Sequence, residues 1–280
     1  MKEPDKVKMK NLIIPLLVVC FGPVSTSEAQ MVKGRQIVRA ELMTDASDFS
    51  KPFTVAIHFV IEPDWYTYWR NPGDSGLPVE VEWVLPGGWS ADEIKFPVPE
   101  KFTHDNLITY GYKKEVVLFA TINPAGSARQ PLKAKLNWLV CKESCVRGDA
   151  VVNLDLKNID GEKRAEASGI MQQYRQRLPQ PRASGSIVFE KASAEMAGVG
   201  LRIRIPFKAA SDLEFVDFYP ESVKGILMDF SSIRLEGEQL VFKGTPEGTG
   251  TGDIYLRGLF IAADGKGYES SVPIKFSDME

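Results

Sequence analysis

The stretch Leu132-Lys133-Ala134-Lys135-Leu136-Asn137-Trp138-Leu139-Val140-Cys141 decides the fold class of this chain. Leu132, Ala134, Leu136, Trp138 and Val140 alternate with Lys133, Lys135 and Asn137. That two-residue period belongs to a strand with one buried face. Working outward, Phe53, Val55, Ile57, Phe59 and Ile61 alternate in the same way with Thr54, Ala56, His58 and Val60. Further strands are expected over Ile37 to Met43, Val79 to Val84, Val116 to Ile122 and Ala150 to Leu156. Turn-rich pieces such as Asn71-Pro72-Gly73-Asp74 and Pro86-Gly87-Gly88 separate them. Short alternating strands with no helix between them imply an all-β chain built as a β-sandwich.

Beyond Leu156 the pattern changes. Asp160 to Leu178 is charged, with Ile170, Met171, Tyr174 and Leu178 at helical spacing, and Pro179-Gln180-Pro181 ends it. Ala183-Ser184-Gly185-Ser186 then reads as a hinge. Alternation resumes in Leu201, Ile203 and Ile205, in Leu240 to Phe242, in Ile254 to Phe260 and in Tyr268 to Phe276. This gives a domain expectation: a signal peptide over 1–29, a first sandwich over 30–157, a helix and linker over 158–184, and a second sandwich over 185–280. The second sandwich has no Cys and no His, and reads as a structural or docking module.

The first residues carry Lys2, Lys6, Lys8 and Lys10, followed by an apolar run from Leu12 to Val24 and by Ser27-Glu28-Ala29. A basic start, a short apolar run and small residues at alternate positions form a secretory signal, with Gln30 as the mature start. A lipoprotein reading would anchor the chain at Cys20, but Val19 is larger than the residue a lipoprotein peptidase accepts there. The remaining chain has no apolar run long enough to span a bilayer. Without the signal, 30 basic residues face 34 acidic ones, which gives no reason to expect nucleic acid or an anionic membrane as partner.

Removing the signal leaves two cysteines, Cys141 and Cys145. A disulfide closing so short a loop removes little chain entropy, so the pair is a weak staple and a better candidate for chemistry. Strand parity turns Cys141 away from the face of Trp138 and Val140. Four extended residues would span roughly 13 Å, whereas a disulfide needs its Cα atoms about 5.5 to 6 Å apart, so oxidation requires Lys142-Glu143-Ser144 to fold back tightly. Lys142 and Arg147 favour a thiolate while Glu143 opposes one. The same sulfurs would also suit copper(I), whereas zinc asks for more ligands than the local sequence offers. His58, on the polar face of a strand, and His104, in a loop, read as surface histidines.

Three further features give a family likeness. The run Trp65-Tyr66-Thr67-Tyr68-Trp69-Arg70-Asn71-Pro72-Gly73-Asp74-Ser75-Gly76-Leu77-Pro78, the triplet Tyr110-Gly111-Tyr112, and Trp138-Leu139-Val140-Cys141-Lys142-Glu143-Ser144-Cys145 occur in that order. Together they resemble the periplasmic N-terminal domain of the disulfide reductase DsbD, and most closely its copper-sensitivity suppressor relatives called ScsB. The second sandwich resembles the additional immunoglobulin-like region of the longer members.

The resemblance implies two immunoglobulin-like β-sandwich domains joined by a short helix and linker, and a periplasmic protein whose cysteine pair, Cys141 and Cys145, takes electrons from a membrane-embedded thiol reductase. It hands them to periplasmic thioredoxin-like proteins without an organic cofactor. It further implies that Asp105 to Tyr112 caps the pair, with Tyr110 as the shielding aromatic, and that Tyr66 and Tyr68 approach the site. The best-known DsbD domains have a longer gap between their cysteines, and they commonly have Pro soon after the second, where this chain has Arg147-Gly148. No membrane or thioredoxin-like domain follows in this sequence, so the donor is expected to be a separate protein. A copper-tolerance protein and a non-catalytic envelope adaptor are the alternatives.

Overall fold

The computed structural model describes residues 34–126, 130–181, 187–198, 200–221, 226–246 and 254–274. The expected signal peptide, Cys20 and the Ala183 to Ser186 hinge lie outside the described residues.

The first half forms two facing sheets. β1 (Val38–Met43), β2 (Phe53–Ile61), β8 (Glu115–Asn123) and the short β5 (Ser90–Ala91) make one, in the order β1-β2-β8-β5. The other is made by β3 (Tyr66–Gly73), β6 (Glu100–His104), β7 (Leu107–Lys113), β9 (Leu132–Cys141) and β10 (Cys145–Leu154), in the order β10-β9-β3-β7-β6. β4 (Glu80–Val84) pairs with β9. The alternating apolar residues of β2 and β9 close on each other, and Ile57, Phe59, Leu132, Leu136 and Trp138 lie in one buried cluster. Full burial of such side chains, about 1.5–3 kcal/mol each, is what holds the two sheets face to face.

One helix, α1 (Gly161–Arg175), follows. Asp160 caps it by accepting a hydrogen bond from the Lys163 backbone N–H at 2.8 Å. The helix is more than a lead into a linker: Ala167, Met171 and Tyr174 pack on Ala56, Val117 and Phe119, covering the outer face of β2 and β8. Arg175 reaches Asp45 with two hydrogen bonds of 2.6 and 3.0 Å and holds the Asp45 carboxyl below its ordinary range. The expectation that His58 is a surface histidine is also corrected. The imidazole is buried, and its two nitrogens lie 3.3 Å from Glu41 and 3.1 Å from Glu115. His104 is a surface residue, its side chain 92% exposed.

The second half is again all-β. β11 (Ile187–Phe189), β12 (Ser193–Ala197), β13 (Gly200–Ala209), β15 (Ile226–Leu235) and β16 (Gln239–Pro246) form one sheet, and β14 (Phe215–Pro220), β17 (Ile254–Ala262) and β18 (Gly267–Ile274) form the other. Their buried residues, including Ile203, Phe207, Phe218, Leu240 and Phe260, make a separate core. The halves nevertheless touch closely, since Leu259 and Ile261 belong to the buried cluster of the first half.

Candidate functional site

β9 and β10 form a hairpin whose register pairs Cys141 directly with Cys145. The intervening Lys142-Glu143-Ser144 folds back tightly, with the Lys142 N–H donating to the Ser144 carbonyl at 3.3 Å. The two cysteines are bonded, their Cα atoms 4.1 Å apart. The sulfurs are not equivalent. Cys141 is 1% exposed, whereas Cys145 is an exposed residue.

Parity explains how Cys141 is buried without joining the sandwich core. Its register partner on β3 is Tyr66, so Cys141, Tyr66 and, two residues on, Tyr68 point to the outer face of the sheet. Tyr68 donates its hydroxyl to Cys141 Sγ at 2.9 Å and lies 3.7 Å from Cys145 Sγ. Burial pushes this hydroxyl well above the ordinary tyrosine range, so it stays protonated and able to donate. Tyr66 packs edge-on against Tyr68 at 5.5 Å between ring centroids and against Phe102 of β6 at 5.4 Å. The Lys113 ammonium stands 4.3 Å over the Phe102 ring. The exposed Lys142 is 2.9 Å from Asp64.

The run after Tyr68 has a structural reason. Gly73 and Gly76 have positive φ, where a side chain is strained. A Cβ on Gly73 would meet the Ile108 carbonyl, and one on Gly76 would meet the Tyr68 ring. Asp74 accepts from the Ile108 N–H at 2.6 Å. The segment thereby ties β3 to β7 and closes over Tyr68.

The site brings together Cys141, Cys145, Tyr66 and Tyr68, but Tyr110 is elsewhere. Its register partner on β6 is Lys101, and it points to the inner face with Ile108 and Tyr112. There its ring packs on Trp69 at 6.0 Å, on Tyr219 at 4.8 Å and on Phe230 at 6.4 Å. The resemblance put Tyr110 over the pair, but the pleat puts it on the opposite face. The alternation of Ile108, Tyr110 and Tyr112 with Thr109, Gly111 and Lys113 is a signal in the sequence that indicates this face. Asp105, at positive φ in the β6–β7 turn, is exposed and lies 3.3 Å from His104. The aromatic ring that β6–β7 does present to Tyr66 is Phe102, which sequence reasoning missed.

Leu77, Pro78, Glu80, Asn137, Trp138, Arg147 and Gly148 line a surface cavity of about 380 Å³ beside the hairpin. Among the described residues, no group of three or more His, Cys, Asp or Glu side chains is arranged to hold a metal ion. No described helix is long and apolar enough to cross a membrane.

Residues 28–156 match the family model described as thiol:disulfide interchange protein DsbD, N-terminal. Among solved structures, the chain is similar to the N-terminal periplasmic domain of ScsB from Proteus mirabilis, with 20% identity and a TM-score of 0.62 over 85% of this chain and 92% of that one. That likeness is one of fold and extends over both halves. The N-terminal domain of DsbD from Neisseria meningitidis, in its reduced form, aligns with 15% identity and a TM-score of 0.30 over 43% of this chain and 86% of that one. No curated protein sequence matches. Over residues 28–156, the chain is thus similar to the N-terminal domain of the thiol:disulfide interchange protein DsbD.

Proposed function

We infer that the chain relays electrons in the periplasm through Cys141 and Cys145, from a membrane-embedded thiol reductase to thioredoxin-like partners. The observation that carries this reading is the asymmetry of the pair: an exposed Cys145 bonded to a buried Cys141, whose sulfur already has a hydroxyl donor, Tyr68, 2.9 Å away.

The chemistry follows from that asymmetry. A donor thiolate attacks the accessible Cys145 Sγ, a new S–S bond forms there, and the Cys141–Cys145 bond breaks. Its electron pair stays on Cys141 as a thiolate, which the Tyr68 hydroxyl stabilises by a charge-assisted hydrogen bond. The donor's second thiolate then attacks its own sulfur in the mixed disulfide and leaves as an intramolecular disulfide, releasing Cys145. Delivery reverses these roles. The Cys145 thiolate attacks the acceptor disulfide, and Cys141 resolves the mixed bond, regenerating Cys141–Cys145 with two electrons transferred. The domain division proposed here keeps this chemistry within residues 30–157, with 158–184 as helix and linker and 185–280 as the second sandwich.

Trapping tests the assignment. Cys141→Ser leaves the exposed sulfur and should accumulate mixed disulfides with donor and acceptor proteins, whereas Cys145→Ser leaves the buried one and should accumulate few. Equal trapping by both variants, or trapping by neither, overturns the assignment.

A further inference from the structure

The hairpin β6–β7 has two working faces. Its outer face carries Phe102, which packs on Tyr66, the register partner of Cys141. Its inner face is held by the second half of the chain. Lys101 Nζ lies 2.9 Å from Asp217 Oδ2, with both side chains about one-quarter exposed, and 5.9 Å from the centre of the Tyr219 ring. Tyr110, the register partner of Lys101, packs on Tyr219 and Phe230.

Among the described strands, β6 is at the edge of its sheet and bonded only to β7. An edge strand with one neighbour opens more readily than a central one, so contacts on its inner face weigh heavily in where it sits. The second half also grips β3 just past the tyrosines. Arg70 pairs with Glu221, and Asn71 donates to the Pro220 carbonyl at 2.6 Å. Both elements that carry aromatic neighbours of the cysteine pair are therefore fastened from behind by β14 and the residue after it.

We propose that the second half is a brace for the cysteine site, in which Asp217 and Tyr219, acting through Lys101 and Tyr110, are positioning residues that hold Phe102 against Tyr66 and so restrict access to Cys141. The proposal rests on the thiol-exchange reading for its purpose. Its test needs no redox partner. A chain that forms no mixed disulfides would remove that reading and leave the brace standing.

The experiment uses the full chain in its reduced form. Amide hydrogen exchange over residues 100–113 reports the hairpin, and mass-spectrometric labelling of Cys141 by a small alkylating reagent reports the site. Asp217→Asn is expected to speed both about fivefold and Tyr219→Ala about tenfold, from the ordinary strength of a part-buried ion pair and an aromatic contact. The charge exchange Lys101→Asp with Asp217→Lys should return both rates toward wild type, which a general loosening of the fold would not allow. A melting curve for each variant shows whether the chain remains folded. If Tyr219→Ala does not fold, Asp217→Asn, which keeps the shape of the side chain, decides the matter. Wild-type rates in a folded Asp217→Asn protein overturn the proposal. Faster hairpin exchange with unchanged Cys141 labelling also overturns it, because the brace would then not govern the site, and so does failure of the charge exchange to restore the rates.

Discussion

Replacing Tyr68 by Phe removes one atom from the site and leaves the ring in place between Tyr66 and Gly76. The lost hydroxyl sits 2.9 Å from Cys141 Sγ in a residue only 1% exposed, so water does not take its place. In the disulfide form the sulfur is a weak acceptor, and the change costs well under about 1 kcal/mol. In the reduced form the acceptor is a thiolate, and a hydrogen bond to a charged group is worth about 1.5–3 kcal/mol. At 1.36 kcal/mol per pH unit, thiolate formation at Cys141 should move up by roughly one to two units in the variant. The sign is fixed because the hydroxyl favours only the charged form. The assay is ultraviolet titration of the thiolate in Tyr68→Phe combined with Cys145→Ser, against Cys145→Ser alone. Reduction of the disulfide by a small dithiol should slow in parallel, because Cys141 becomes a poorer leaving group. An unchanged midpoint in a variant that melts like its parent would refute a role for the hydroxyl in holding the thiolate.

Two other outcomes follow from the packing and charge of the chain. Met171→Ala should destabilise the chain by about 2–5 kcal/mol, as expected for a fully buried side chain cut back to a methyl, and denaturant unfolding followed by tryptophan fluorescence would show it. A loss below about 1 kcal/mol would mean that α1 is only a spacer after all. Burial raises the Glu221 carboxyl above its ordinary value of 4.5, against the opposing pull of Arg70 and Arg257. A carboxyl with a raised folded value favours folding when protonated, so this contribution is present below 4.5 and is lost as pH rises through the raised value. Glu221→Gln should therefore lose less stability than wild type over that rise, as measured by melting temperature against pH. Parallel curves would show that the Arg70 contact fully compensates the buried charge.

The parts of this protein that could be read from the sequence are those set by local periodicity. The alternations around Phe53 to Ile61 and Leu132 to Val140 became β2 and β9, and the spacing of Ile170, Met171 and Tyr174 became α1. The requirement that Lys142-Glu143-Ser144 turn back is met by the β9–β10 hairpin. What escaped depends on contacts between distant segments. His58 stands at a polar position of its strand, and its burial between Glu41 and Glu115 joins residues that are distant in the sequence. Phe102 lies in Glu100-Lys101-Phe102-Thr103-His104, a short edge strand with little apolar pattern, so nothing local marks it as a neighbour of Tyr66. β14 and β15 were missed for a related reason, since each carries a register shift that breaks the alternation.

The fold around the cysteines also suits the relay proposed for it. A relay must stay folded with its disulfide open, so the bond must contribute little of the stability. Closing a loop this short constrains the unfolded chain by only about 2 kcal/mol, against about 4.7 for a loop of a hundred residues. The hairpin has independent support. Its antiparallel ladder runs from Cys141 and Cys145 to Leu132 and Leu154, and Leu132, Leu136, Val140 and Val146 are buried in the core. Opening the bond thus leaves the two sulfurs facing each other across a strand pair that has no need to move. The buried thiol keeps Tyr68 as its partner and the exposed one keeps its access, so the geometry needed to remake the bond survives its breaking.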